Sequence, residues 1–414
     1  MQSRRAPFSS LRLHRFSVGG PSPAAQARKY ARLGLPLVVG LAVAVFVDAV
    51  LPAPARTPAP LAVAEPVVAA PTAPGVAAAA PGVVADLAPR RSTRDQELQA
   101  QISRLLRDGQ TPFSAVVVLE AHSGRILAVA EHSTRGRADG LATRPMAPAA
   151  SVFKIVTSSA LLEQGVDPSE RVCFHGGKTR MQQQNLDDDA RRDHTCLRFD
   201  DVVPLSANVA VAKLAQKHLT PALLRSHAER WGFGRTTSAL RSEVASTANI
   251  PSAPFEFAEA AAGFGDVQLS ALQGATIAGI VANDGVLVQA RDFAGGDDVT
   301  APVRVISAKN ASVLRRMMGE TVAHGTGHKA FSARPLLPVS AAGKTGSLTD
   351  YKTGLDTSWF IGFAPADAPE LIVAAVVVNT SRWHIKAPWL AKESLRLALR
   401  NHGPLQPSSR VAAR

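Results

Sequence analysis

From residue 93 onward the chain shows two kinds of apolar spacing, and each predicts its own element. Leu98, Ile102, Leu105 and Leu106 recur at helical intervals, so residues 93–108 predict a short amphipathic helix stopped at Gly109. Residues 114–120 and 125–130 are apolar runs joined by Ala121-His122-Ser123-Gly124, the pattern of a β-hairpin. A run apolar enough to be a buried helix follows and is opened by Ser151. Residues 168–200 are polar and irregular, with acids at 187–189 and arginines at 191 and 192. Helical spacing then dominates over 208–217, 221–231, 269–283 and 308–323. Three strand-like runs, 341–347, 357–363 and 371–379, precede a last amphipathic helix over 388–400.

Strands first, helices in the middle and strands last is not the alternation that builds a parallel doubly wound sheet. The order predicts an α/β protein of the α+β kind. An antiparallel sheet of about five strands would be assembled from both ends of the folded unit and flanked by helices. A mostly helical subdomain would be inserted between its strands, and the terminal helix would cover one face.

Upstream of that unit the pattern changes. Residues 1–32 carry seven Lys and Arg and no acid. Residues 33–51 are apolar apart from Asp48, at the short end of the roughly 20 residues a spanning helix needs. The basic flank should stay in the cytoplasm and everything after the span should be exported. A cleaved leader is the competing reading, with Ala53-Pro54-Ala55 as a small-residue site, but prolines crowd it and favour an uncleaved anchor. Residues 52–93 are rich in Ala and Pro and predict a disordered, semi-rigid linker. The expected organisation is therefore a basic cytoplasmic tail (1–32), a transmembrane anchor (33–51), the linker (52–93), a folded domain (94–402) and a disordered tail (403–414). That places the chain in the inner membrane as a single-pass protein with its domain in the periplasm.

Charge narrows the function. Of the net +13, about half lies in residues 1–32, and no long basic run follows. A nucleic-acid binder would want a basic stripe interleaved with aromatics, so that class is set aside.

Three short stretches carry candidate chemistry. In Ser151-Val-Phe-Lys154 a hydroxyl precedes a lone lysine by three residues, so on a helix the two share a face. A lysine held among apolar groups loses solvation of its charged form and can take a proton from serine. The second stretch, Ser206-Ala-Asn208, opens a helix, where Ser206 would ordinarily be an N-cap. The third, Lys344-Thr345-Gly346-Ser347, lies on a strand that glycine ought to weaken. Glycine makes sense there if a substrate backbone lies along the edge and a cation meets its carboxylate.

S-x-x-K, then S-x-N, then K-T-G in this order resembles the transpeptidase domain of penicillin-binding proteins, over roughly residues 112–400. Residues 116–128, the Gly263-Phe-Gly265 turn with the helix after it, Gly325-Thr-Gly327 and Trp359-Phe-Ile-Gly-Phe363 stand in the order of that family. The resemblance implies Ser151 as the acylated nucleophile, Lys154 as general base, Ser206 as proton relay and Asn208 as the group orienting Lys154 and the substrate amide. It also implies that Lys344, Thr345 and Ser347 hold a terminal carboxylate, with Gly346 between them, and that the Ser151 and Ser347 N–H groups form the oxyanion hole. No metal or organic cofactor is required. The expected activity is D,D-transpeptidation, with peptidoglycan stem peptides and β-lactams as ligands and a cell-wall synthesis complex as a further partner. A carboxypeptidase, a β-lactamase or a slow penicillin sensor on the same scaffold is the alternative. Glu243 and Asn249 lack the Glu-x-x-x-Asn spacing of a class A β-lactamase, which disfavours efficient hydrolysis.

The cysteines are Cys173 and Cys196. Their Cys-Phe-His and His-Thr-Cys settings suit zinc, while export suits a disulfide closing the polar loop; free thiols are the third reading.

Overall fold

The computed structural model describes residues 92–177, 181–293, 300–380 and 384–402. The basic tail, the anchor at 33–51, nearly all of the linker and the tail from 403 lie outside the described residues. Among the described residues, no helix is long and apolar enough to cross a membrane. The end of the expected linker needs correcting. Ser92 bridges to Phe293, and the Thr93 N–H donates to the Asp292 carbonyl, so the folded part begins two residues earlier than expected.

Helix α1 (Gln96–Asp108) is capped by Asp95, whose carboxylate accepts from the Glu97 and Leu98 N–H groups. Strands β1 (Phe113–Glu120) and β2 (Ile126–Ser133) form the expected hairpin. After a one-turn 3₁₀ helix at Ala150–Val152 comes α2 (Lys154–Glu163), buried along nearly its whole length. The polar stretch expected to be irregular instead contains a small hairpin, β3 (Arg171–Phe174) against β4 (Thr195–Arg198). Cys173 and Cys196 face each other in its register and are joined as a disulfide, with their Cα atoms 4.0 Å apart. Closing a loop of this length contributes about 3 kcal/mol by restricting the unfolded chain.

The helices follow: α3 (Phe199–Leu205), α4 (Asn208–His218), α5 (Pro221–Arg230), α6 (Pro254–Ala261), α7 (Ala271–Ala282), α8 (Ala308–Ala323) and the single turn α9 (His328–Phe331). Strands β5 (Ala342–Asp350), β6 (Leu355–Ala364) and β7 (Leu371–Asn379) then complete the sheet, and α10 (Ala387–His402) ends the described chain.

The sheet runs β5-β6-β7-β1-β2, antiparallel throughout, so the last strand made pairs with the first. Strand periodicity sends alternate residues to opposite faces. Ala115, Val117 and Leu119 of β1 pack with the inserted helices, together with Ile361, Ala374 and Val376. Val116 and Val118 pack with α1 and α10, together with Phe360, Val373 and Val377. Because both faces are covered, β7 is buried along its length and reads as an unbroken apolar run.

The two outer strands differ. On β2, the Thr93 hydroxyl donates to the Ile126 carbonyl and the Asp95 N–H to the Leu127 carbonyl. The Gln99 amide mimics a further strand, donating to the Val129 carbonyl (2.7 Å) and accepting from the Val129 N–H (2.8 Å). Among the described strands, β5 pairs with β6 alone.

Candidate active site

The segment before α2 is fixed from two sides. Ala147 pairs with Leu269, the Ala149 N–H donates to the Val267 carbonyl, and the Trp359 indole on β6 donates to the Pro148 carbonyl at 2.9 Å. The chain then turns sharply. Ala150 has φ +48°, a left-handed conformation costing an alanine about 1 kcal/mol or more. The turn is held by Gly263, itself at φ +90°, where a Cβ would lie 1.8 Å from the Ala150 carbonyl oxygen. Only glycine permits that approach. Ser151 emerges inside the 3₁₀ turn rather than as a helix cap, and it is 7% exposed.

Lys154 begins α2 and is fully buried. Its Nζ lies 2.7 Å from Ser151 Oγ, 2.8 Å from Asn208 Oδ1 and 2.8 Å from the Ala262 carbonyl oxygen. The Phe264 ring stands over it, 5.6 Å from Nζ to the centroid. Burial, helped by the nearby Lys344 charge, pushes its pKa well below the usual lysine range. As an ammonium it donates to all three oxygens. As a free amine it keeps two N–H donors for the two oxygens that can only accept, Asn208 Oδ1 and the Ala262 carbonyl. Its lone pair is then left for the Ser151 hydroxyl proton.

Ser206 is not the helix N-cap that its sequence setting suggests. It terminates α3 in the left-handed conformation, φ +56°, and Ala207 rather than Ser206 precedes α4, without side-chain capping. Freed from capping, its hydroxyl accepts from Lys344 Nζ at 2.9 Å. Lys344 also donates to the Thr345 carbonyl at 2.8 Å, is fully buried, and has its pKa lowered to about 7 by that burial. Of the four non-glycine residues with positive φ in the described chain, two, Ala150 and Ser206, belong to this cluster.

The third stretch lies on β5, opposite β6, with Lys344, Thr345, Gly346 and Ser347 facing Ile361, Phe360, Trp359 and Ser358. A Cβ on Gly346 would lie 3.1 Å from the Trp359 Cβ on β6 and 3.4 Å from both the Ala149 carbonyl oxygen and Val152, so the strand lies close against the Ser151 turn. Ser347 is exposed. The sequence-predicted residues thus come together: Lys154 bonds Ser151 and Asn208, Lys344 bonds Ser206 two residues away, and Gly346 abuts the turn.

Other groups at the site lie outside the three stretches that carry the candidate chemistry. The Ala262 carbonyl is a backbone atom, and Phe264 is aromatic in a turn. Thr326 bonds Thr345 through its hydroxyl, Oγ1 to Oγ1 at 2.6 Å. Glu243, by contrast, is spent on structure. Its carboxylate accepts from the N–H and hydroxyl groups of Thr237 and Ser238 and is buried. Among the described residues no group of His, Cys, Asp or Glu could hold a metal ion, and the two cysteines are bonded to each other.

A buried amine poised on a serine, with a second serine held by a second amine beside an outer strand, is an arrangement chemically able to carry out serine acyl transfer. The family model described as the penicillin binding protein transpeptidase domain matches residues 114–394. The chain belongs to that family. It is 29% identical over 251 residues to "Stage V sporulation protein D" of Bacillus subtilis, covering 55% of this chain and 38% of that protein. It is 26% identical over 314 residues to "Peptidoglycan D,D-transpeptidase PbpA" of Mycolicibacterium smegmatis, covering 64% of this chain and 61% of that protein. The chain therefore spans less than two thirds of either relative. The D,D-transpeptidase domain of a peptidoglycan glycosyltransferase from Eggerthella lenta superposes with a TM-score of 0.61 at 25% identity, over 75% of this chain and 82% of that one.

Proposed function

We propose that the protein is a serine D,D-transpeptidase that cross-links peptidoglycan stem peptides and is acylated by β-lactams. In this reading it is tethered to the inner membrane through residues 33–51, with the domain from residue 92 working in the periplasm beside other cell-wall enzymes. The observation that carries the reading is the Lys154 amine, buried and 2.7 Å from Ser151 Oγ, with its other hydrogens committed elsewhere.

Lys154 takes the Ser151 proton as Oγ attacks the carbonyl of the penultimate D-alanine. The Ser151 and Ser347 N–H groups hold the oxyanion. As the intermediate collapses, the C–N bond breaks, and the proton reaches the leaving D-alanine amine through Ser206. The product is an ester on Ser151. The amine of a second stem peptide then attacks that ester, loses its proton along the same route and returns Ser151 as the alcohol. Lys344 keeps Ser206 oriented and adds positive charge where the terminal carboxylate binds. A β-lactam follows the first half of this path, but its leaving amine stays attached.

The test is labelling with a fluorescent penicillin and mapping of the modified residue by mass spectrometry. We expect a long-lived adduct on Ser151, and none in Ser151→Ala with the fold preserved. Unchanged labelling of Ser151→Ala refutes the assignment, and rapid loss of the wild-type adduct in a chase points to hydrolysis instead. Cross-linked product from a donor and acceptor stem-peptide pair establishes the acceptor.

A further inference from the structure

The turn from Ala262 to Gly265 gives Lys154 two unlike neighbours, a carbonyl and an aromatic ring. It follows α6 and is bonded back onto that helix: the Gly263 N–H donates to the Ala260 carbonyl and the Phe264 N–H to the Glu259 carbonyl, each at 2.9 Å. Gly263 and Gly265, at φ +90° and +67°, bracket Phe264 with left-handed backbone that favours glycine. The first residue of the turn supplies the Ala262 carbonyl, which accepts from Lys154 Nζ at 2.8 Å. The third supplies the Phe264 ring, whose centroid lies 5.6 Å from the same nitrogen. The ring is half-buried and packs against the core beneath it, while Lys154 is fully buried.

The oxygens around Lys154 serve it in either charge state. Ala262 on the turn and Asn208 on α4 accept from an amine as well as from an ammonium, although more strongly from the latter. An aromatic face is more selective. Its quadrupole attracts a full positive charge and does little for a neutral amine. Burial disfavours the ammonium, and so does the charged group that acts on Lys154 from β5, Lys344. Yet an ammonium has to form there once Ser151 gives up its proton. A contact that strengthens only as that charge appears lowers the barrier instead of merely holding the ground state.

We propose that Phe264 is a positioning residue acting through Lys154: its ring face steadies the positive charge that Lys154 acquires as the Ser151 proton is transferred. The proposal rests on the reading of Lys154 as general base and deepens it. Such a contact raises the pH at which Lys154 loses its proton, and removing the ring lowers that pH. The free amine is then more abundant in acid but is a weaker base.

The experiment measures second-order acylation of Ser151 by benzylpenicillin against pH in the wild type, F264L and F264Y, within the range where melting temperatures show the fold intact. F264L should be about threefold to tenfold slower near the pH of maximal rate, the worth of one partly desolvated cation–π contact. Its acid limb should lie lower in pH by roughly 0.5 to 1, so that the two rates converge as the pH falls. F264Y keeps the ring and should keep the position of the wild-type limb. Lys344, at about 7, contributes a limb of its own, which should stay in place. A second series puts phenylalanines with one or three ring fluorines at position 264, which weakens the charge of the face with little change in bulk. Maximal rates should fall stepwise with fluorine number, and this series also decides the matter if F264L does not fold. Equal slowing of F264L at every pH, or a flat fluorine series, overturns the proposal in favour of packing. If benzylpenicillin does not label the wild type, the general-base reading falls and the proposal with it; a labelled wild type with an unmoved limb in F264L sinks the role of Phe264 alone.

Discussion

Strands β2 and β5 bound the same sheet, yet among the described residues the outer side of β2 is bonded by other parts of the chain, whereas β5 has β6 as its one strand partner. On β2 the work is done by Thr93, Asp95 and the Gln99 amide, all at the start of the folded part. An unpaired edge invites another strand, so open edges are ordinarily blunted with charge and polarity. β5 carries that protection in its own side chains. Ser347, Thr349 and Asp350 are exposed and polar, and Lys344 is an inward-facing charge. Under the proposed function, the edge left without a second strand is the one that receives the ligand. It runs past the Ser151 turn, where a bound peptide backbone could add to the sheet within reach of the buried amine.

The strongest way to break this contrast is to remove the cation of the open strand. Lys344→Met should slow acylation by about 10³-fold, comparable to deleting a donor from an oxyanion site. It should also stabilise the fold, because a buried amine gives way to an apolar chain. The pH dependence has a definite sign. With Lys344 at about 7 in the folded protein and 10.5 as its ordinary value, the unfolded chain binds more protons between those limits. Stability contributed by this group therefore rises with pH from about 7 to about 10.5, and Lys344→Met should lose that rise in melting temperature.

Gly346→Val comes next. It keeps every charged group but crowds Trp359, the Ala149 carbonyl and Val152 with a branched side chain, which should shift β5 from the turn; a misplacement on the order of 1 Å costs about 10²-fold in rate. Acylation at the wild-type rate in this variant would show that the distance between strand and turn is immaterial. The smallest effect belongs to the closed edge. Gln99→Ala strands the Val129 N–H and carbonyl and should cost about 1–2 kcal/mol in denaturant unfolding while acylation is unchanged. A loss of acylation rate in Gln99→Ala at full folding would erase the distinction between the two edges.

The strands, the long helices and the three motif stretches were legible because each has a pattern: alternation, helical spacing, or polar groups where apolar ones are due. What escaped has no such pattern. Ser206 reads as a cap because serine before a helical run usually is one; its left-handed conformation is imposed by α3, a helix too short to show periodicity. The hairpin of β3 and β4 is four residues a side, too brief to alternate visibly, and its register is fixed by the Cys173–Cys196 bond. The acceptor that completes the Lys154 site is the carbonyl of Ala262, which any residue would supply. Gln99 acts through a partner 30 residues away, a proximity that only the assembled fold creates.

The contact between Gly263 and Ala150 has a consequence for how the protein is handled. Segments more than a hundred residues apart must interlock before the Ser151 turn can exist, and the Ala262 carbonyl reaches Lys154 through that same junction. Reactivity should therefore require both segments in place and be lost when either loosens. A radiolabelled antibiotic would serve as a census of finished molecules, blind to any with α6 undocked, even where circular dichroism reads them as native.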